Sequence, residues 1–543
     1  MKKIVLFIIL LGALTISYGQ KTKSKEIDEL IRSYEKDGYF HGSVLVYEKG
    51  KVLLKKSYGI QHPQIETKNT NSSIYRIYST TKTFTASVIL LLEEQGKLSL
   101  SDKLSTYFSD FPKGDEITIE NLLTHTSGIP DDTNPEHTKN EKSFLGFIYE
   151  QPLDFVPNTN WRYSNSGYYL LGYIIQKITG IPYEQAVTDY ILKPLHMQRS
   201  GFAFKSLRDS DKTTGFEYLT RNKFKKAIVF DEPHPFAAGA MYSTTGDLLK
   251  YYKGLKEFRV LEEETLLKAQ TPYNGSNYGY GWEKYPFVQK KATGHNGGGP
   301  GFQSRFLTIF DKDICIIVLS NAETNIDLST KLATILLSSK TVEHPKPEKI
   351  AHKKLELLKG AYNSPDSKFL IYLDDGILSF NESKYTSSKN FLIPENEKRF
   401  YINAIFNGVE GKVYFDFKSS ENGDIESLEV RFPDGMVKTA PKTSSAIPWG
   451  IIGSATSNGW EGDDIPLTPD NQNPDILTIN NITLNEGEFK FRANNDWNIN
   501  LGIDDEGYLG IHRKGIKVKK GVYDIVLNVT DPINPVFSIT KSQ

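Results

Sequence analysis

Cysteine is all but absent: there is one in 543 residues, Cys315. No intrachain disulfide can form, and a cysteine-built metal cluster is excluded. Cys315 stands in the apolar run Ile314–Leu319, where a small buried strand residue is expected. An excess of one charge sign is missing as well. The 65 Lys and Arg against 66 Asp and Glu leave a formal net charge of -1, which argues against a dominant polyanion-binding surface and a nucleic-acid partner. The 10 histidines show neither HExxH nor a paired ligand spacing, so no metal is expected. No glycine-rich segment leads into a helix in nucleotide-binding form, and no other cofactor is expected. After the N-terminal apolar stretch, no segment reaches transmembrane length.

What is present is a foldable chain: 38% hydrophobic and 12% aromatic, with 30 Tyr and 30 Phe, a load that leans toward β structure. Its length allows about three or four domains. Residues 1–19 read as a cleavable export signal, with a charged start at Lys2 and Lys3, an apolar stretch from Ile4 to Ile16, and small residues at Ser17 and Gly19. A membrane anchor is the alternative, but the apolar core is short for about 30 Å of hydrocarbon. No cysteine follows, so no lipid anchor is expected. The mature protein is expected in the periplasm or medium, starting near Gln20, with no transmembrane segment.

Apolar spacing predicts an opening helix over 26–38, strands Gly42–Glu48 and Lys51–Tyr58 around a Lys49-Gly50 turn, and a helix over 79–95. Short helical pieces are predicted at Asn121–Thr126 and Ser166–Thr179, strands at Phe302–Phe310 and Ile314–Leu319, and a closing helix over 326–338. Strands at both ends with helices between predict an α+β domain over 20–340, its one sheet assembled from distant parts of the chain. Residues 340–350 and 439–447 read as linkers. They bound two small all-β domains, 351–438 and 448–543, with Asp-Gly and Asn-Gly turns.

Three segments carry chemistry. Ser79-Thr80-Thr81-Lys82 opens a predicted helix, and positions three apart share a face, so the Lys82 amine can reach the Ser79 hydroxyl. A serine hydroxyl is a weak nucleophile until a base takes its proton, and a lysine serves as that base only when its pKa is lowered. Tyr163-Ser164-Asn165 precedes a helix, so both outer side chains can project from a loop. Gly294-His295-Asn296-Gly297-Gly298-Gly299 reads as a glycine-dense approach to a strand, which permits close backbone contact with a ligand.

In this order, Ser79/Lys82, Tyr163/Asn165 and His295/Gly297 resemble the S-x-x-K, Y-x-N and K-T-G or H-x-G motifs of the serine β-lactamase and penicillin-binding-protein superfamily. The nearest branch is that of class C β-lactamases, D-aminopeptidases, D,D-carboxypeptidases and family VIII esterases. The likeness extends to Leu122–Gly128, Ala238–Thr244 and Tyr278–Trp282. It implies a β-lactamase/transpeptidase-like fold and a serine hydrolase in which Ser79 is acylated. Lys82 and Tyr163 would share the base role, with Tyr163 then protonating the leaving group. Asn165 would orient Lys82 and substrate, His295 would border the cleft, and the amides of Ser79 and Gly298 would form the oxyanion hole.

Two departures bear on substrate. His295 stands where relatives often carry lysine, and a neutral imidazole offers no fixed charge to a substrate carboxylate. A small ester, amide or short-peptide substrate is therefore expected ahead of a β-lactam or a D-alanyl cell-wall peptide. A non-catalytic glycan- or envelope-binding protein is the competing class. Pro157-Asn158 replaces the relatives' frequent Pro-Gly, a mild change because asparagine tolerates left-handed backbone. Residues 351–438 resemble the small β-barrel domain appended to several such enzymes. Residues 448–543, through Trp449–Thr456 and Gly487–Trp497, resemble the C-terminal domains of SusE- and SusF-type starch-binding proteins. That likeness implies a β-sandwich and a glycan contact, with Trp460 and Trp497 as candidates. Tryptophan at strand spacing is more often core. His125 is expected to pack or to fix a loop.

Overall fold

A computed structural model describes residues 23–542 except 37, 63–65, 133, 135–136, 221–222, 228–233, 286–290, 323–327, 339–341, 343–347, 383–389, 407–408, 504–506, 512 and 532–534. The expected export signal lies outside the described residues. The chain divides into two compact units. One comprises Met1–Leu219, Lys226–Glu323 and Asp327–His344; the other comprises Thr220–Lys225, Thr324–Ile326 and Pro345–Gln543.

The first unit is built on a six-stranded antiparallel sheet in the order Lys51–Tyr58, Gly42–Glu48, Ile314–Ser320, Phe302–Ile309, Thr293–Gly299, Glu283–Lys284. The sheet does join both ends of this unit, as the sequence predicts. Gly42–Glu48 and Ile314–Ser320 are buried along their whole length, the mark of strands covered on both faces. At the edge, Lys51–Tyr58 buries only Leu54 and Tyr58 and exposes Lys51, Lys55 and Lys56, charges that discourage further strand pairing. Cys315 is buried and free. Residues 23–36 are helical, and helices Thr245–Lys256 and Leu328–Leu337 pack against Ile314–Ser320.

The helix Thr81–Glu94 is buried nearly all round, which is why its sequence shows little amphipathic contrast. It packs against helices Asn165–Thr179, Tyr183–Val187 and Phe236–Gly239 and against the strand Thr293–Gly299. The phenyl ring of Phe84 stacks on Tyr251 at 3.9 Å. The glycine-dense segment, read as an approach to a strand, is itself that strand. Its glycines fit because their missing side chains let it lie against the turn that precedes Thr81–Glu94.

The second unit is built of β-sheets, with one short helix, His352–Glu356, among its described residues. Its first sheet has nine strands, running from Asn390–Phe391 through Gly360–Ser364 and Val437–Ser444 to Ile393–Pro394. The two ends of this path are adjacent in sequence, giving a barrel-like curl around Tyr362, Phe369, Phe400, Phe415 and Phe417. Val437–Ser444 corrects the linker expected over 439–447. Backbone pairing on both sides holds this strand, so only Ala440 is buried and its other side chains are exposed or half-buried. Two further sheets enclose Leu477, Phe489, Phe491, Leu501, Ile525 and Leu527.

Ile317 is fully buried in the central sheet, opposite Leu45 on one side and Phe306 on the other. Ile317→Ala is expected to lower the stability of the first unit by about 2–5 kcal/mol. Urea unfolding followed by tyrosine and tryptophan fluorescence checks this; a midpoint unchanged from the parent would contradict the assigned core.

Candidate active site

Ser79 lies half-buried in a 3-10 turn, Tyr78–Thr80, that runs directly into the helix Thr81–Glu94. Tyr78 has φ of 41°, left-handed backbone that a bulky residue adopts only when its surroundings hold it there. The restraints are visible. Ser304 Oγ donates to the Ile77 carbonyl at 2.7 Å and shares a 2.8 Å hydrogen bond with Thr80 Oγ1. The Tyr78 hydroxyl donates to the Pro300 carbonyl at 3.0 Å. Strand Thr293–Gly299 passes so close that a Cβ on Gly297 would lie 2.1 Å from the Ile77 oxygen and 3.0 Å from the Ser79 nitrogen. A Cβ on Gly299 would meet the Tyr78 ring at 2.4 Å. Glycine at both positions is thus required by space.

Lys82 is fully buried. Its Nζ has three oxygen partners: Asn165 Oδ1 at 2.7 Å, the Ala238 carbonyl at 2.8 Å and Ser79 Oγ at 3.1 Å. It also sits 4.8 Å from the centroid of the Tyr163 ring. Burial pulls the amine down to about 7, against the opposing charges of Asp131 and Glu283. A neutral amine has two hydrogens for the two obligate acceptors, Asn165 Oδ1 and the Ala238 carbonyl. Its lone pair then turns toward the one partner that can donate, the Ser79 hydroxyl.

Tyr163 and Asn165 arrive from a loop that His125 grips on both sides. The His125 carbonyl accepts from the Arg162 amide at 3.1 Å, and its Nδ1 accepts from the Ser164 amide at 3.1 Å. His125 itself ends the short helix Ile119–Thr124 in left-handed conformation. Asn158, φ 67°, supports the same loop by donating to the Thr126 carbonyl at 2.7 Å, in the left-handed backbone expected of it. Ser164 caps the helix Asn165–Thr179, which fixes Asn165 in its first turn. The Asn165 amide donates to Asp131 Oδ1 at 2.7 Å and its side-chain nitrogen to Asp131 Oδ2 at 3.3 Å, so its oxygen faces Lys82. Burial pushes the Tyr163 phenol well above its ordinary value; the neighbouring Ser79 hydroxyl works the other way, as a hydrogen-bond partner.

Four of the six residues singled out from the sequence, Ser79, Lys82, Tyr163 and Asn165, thus share one cluster. Gly298 lies on the adjoining strand opposite Gln303, one residue past the glycine that abuts Ser79. His295 departs from expectation. It is 1% exposed and does not border the cleft through a free nitrogen. Its Nδ1 lies 2.6 Å from the Asn296 carbonyl, which can only accept, so the proton is on Nδ1 and Nε2 accepts from the Tyr278 hydroxyl at 2.8 Å. Burial lowers its pKa, so it is a neutral group behind Tyr278. Sequence reasoning missed Asp131 and Glu283. Asp131 lies three residues after the Leu122–Gly128 segment and Glu283 directly follows Tyr278–Trp282, so proximity to those segments was the available signal.

A family profile described as Beta-lactamase matches residues 27–339. Penicillin-binding protein 4* of Bacillus subtilis (strain 168) is 27% identical over 464 residues, spanning 78% of this chain and 100% of its own. Among solved structures, the octameric penicillin-binding protein homologue from Pyrococcus abyssi superposes with a TM-score of 0.52 at 25% identity, covering 77% of this chain and 99% of its own. A class C beta-lactamase superposes with a TM-score of 0.52 at 24% identity, over 59% of this chain and 98% of its own, a likeness of fold.

The Lys82 environment carries a kinetic signature. Below about pH 7 the amine holds its proton and cannot accept another, so modification of Ser79 by a fluorophosphonate is expected to accelerate with rising pH, half-maximal near pH 7. Mass-spectrometric rates across about pH 5 to 9 check this, and a flat profile would show that Lys82 does not govern Ser79.

Proposed function

The chain belongs to the Beta-lactamase family of serine hydrolases, and we propose that it is an exported member that cleaves an ester, amide or short-peptide bond through an acyl-enzyme on Ser79. The observation that carries this is the buried Lys82 amine, held down to about 7 with Ser79 Oγ among its three oxygen partners. In the reaction so proposed, Ser79 Oγ attacks the carbonyl carbon as Lys82 takes its proton. The carbonyl oxygen gains charge near the amides of Ser79 and Gly298. Tyr163 gives a proton to the leaving oxygen or nitrogen and recovers one from Lys82, so the net transfer is from Ser79 to the leaving group. Water then releases the acyl group by the same route in reverse.

The high pKa direction at Tyr163 supports a division of labour in place of a shared base: Lys82 accepts and Tyr163, a phenol at neutral pH, donates. The neutral, buried His295 supports esters and amides ahead of β-lactams and D-alanyl peptides, since it offers no fixed charge to a carboxylate. Export rests on the charged and apolar residues at the start of the chain. A second contact is proposed in the C-terminal sheets. Trp497 is 41% exposed and lies 5.9 Å from Trp460, with the Arg492 guanidinium 4.8 Å from its ring centre, an aromatic surface beside polar groups onto which a sugar could stack.

Mass spectrometry of protein recovered from the periplasm or medium, after fluorophosphonate treatment, should place the adduct on Ser79 and the N-terminus at Gln20; absence of the adduct would sink the acyl-enzyme. Tyr163→Phe should acylate with a p-nitrophenyl ester, whose leaving group needs no proton, within about tenfold of the parent. On the matching anilide it should lose about 100-fold or more. Equal losses on both substrates would instead make Tyr163 part of the base. For the sandwich, titration with maltooligosaccharides should quench tryptophan fluorescence in the parent and not in Trp497→Ala. No response in the parent would remove that class of glycan.

A further inference from the structure

Next to Tyr163 opens a cleft of about 640 Å³. Its walls include Trp161, Tyr163, Tyr278 and Tyr285, and one carboxylate, Glu283. The rings stand at angles to one another: Tyr163 and Tyr278 meet edge to face at 6.2 Å, and Trp161 lies 6.3 Å from Tyr278. Trp161 is 40% exposed, which leaves part of its ring open to a ligand in the cleft.

Glu283 is placed by the sheet. Its strand pairs with Thr293–Gly299, Glu283 opposite Gly294, which sets the carboxylate beside His295. The Tyr285 hydroxyl donates to Oε2 at 3.0 Å and orients the group. His295 Nδ1 is 3.9 Å from Oε1 but spends its proton on the Asn296 carbonyl, so no imidazolium balances the charge. Among the described residues, no lysine or arginine forms an ion pair with Glu283. Lys284, the next residue along the strand, also borders the cleft. The Glu283 charge is one of the influences on Lys82, Tyr163, Tyr278 and His295, the largest after burial only at His295.

Aromatic faces around a fixed, oriented carboxylate form the recognition chemistry of an ammonium ion: ring quadrupoles attract the cation and the carboxylate takes its N–H bonds or neutralises it. The Glu283 charge in turn repels a substrate carboxylate. Resting on the acyl-enzyme proposed above, we infer that the cleft lined by Trp161, Tyr163, Tyr278, Tyr285 and Glu283 is a subsite for an ammonium-bearing group of the substrate. The same chemistry fits a primary ammonium on the acyl side of the scissile bond or a quaternary ammonium on the leaving side.

Two substrate pairs separate these sources. Phenylalanine p-nitroanilide, in each enantiomer, is compared with its N-acetyl derivative, and acetylcholine with its neutral isostere 3,3-dimethylbutyl acetate. In the parent, kcat/KM is expected to favour the charged member of at least one pair by about 30-fold, mainly through KM. In Glu283→Gln that ratio should fall to about threefold or less, and in Trp161→Ala it should fall several-fold; thermal melts check that both variants fold. Ratios within about threefold in the parent for both pairs, with Ser79 still labelled by fluorophosphonate, would overturn the subsite and leave the hydrolase standing. A full ratio in a folded Glu283→Gln would overturn it too. No labelling of Ser79 at all would remove the acyl-enzyme, and the subsite with it.

Discussion

Removing one amine from water governs the rest of the catalytic unit. An ammonium in the interior costs far more than a neutral amine, so the fold either supplies charge to hold the proton or lets it go. At Lys82 the balance tips toward release, with Asp131 and Glu283 close enough to oppose burial and not to reverse it. The surroundings follow from that. The helix carrying Lys82 is covered on nearly every side, the Ala238 carbonyl and Asn165 oxygen take its hydrogens, and Asp131 fixes which atom of Asn165 faces inward. Moving any of these partners changes how readily the amine gives up its proton, and so changes the serine.

The same low-dielectric setting separates groups that look interchangeable on paper. Lys82, Tyr163 and His295 are all drawn toward their neutral forms, but neutrality means different things for each. For lysine it exposes a lone pair. For tyrosine it preserves a donor. For histidine, with both nitrogens engaged, it leaves a packing and hydrogen-bonding element that positions Tyr278. In the reaction proposed, one physical cause thus yields a base, an acid and a support within one cluster.

Much of this was legible in the sequence. The i, i+3 spacing of Ser79 and Lys82 is fixed by helix geometry, and Tyr163 and Asn165 stood just before a recognisable helix start. The apolar runs at Gly42–Glu48 and Ile314–Ser320 announced a shared sheet. What escaped notice depended on long-range pairing. Thr293–Gly299 has one β-branched residue, Thr293, because its glycines answer to a turn more than two hundred residues away. Val437–Ser444 has the composition of a linker because its backbone, paired on both sides, does the holding. Asp131 and Glu283 carry ordinary side chains in ordinary loops and edges, and only three-dimensional placement turns their charge toward Lys82. The burial of His295 was invisible for the same reason.

The turn at Ser79 also bears on when this chain becomes reactive. Thr80 depends on Ser304, 224 residues further along, and Gly42–Glu48 depends on Ile314–Ser320. Contacts of such sequence separation form late, since loop closure must precede them. A chain that has been made only as far as its first three hundred residues therefore contains Ser79 and Lys82 but neither the strained turn nor the dry pocket. Its serine is an ordinary hydroxyl and its lysine an ordinary ammonium. The topology keeps the growing chain chemically silent until the last strand of the sheet is in place.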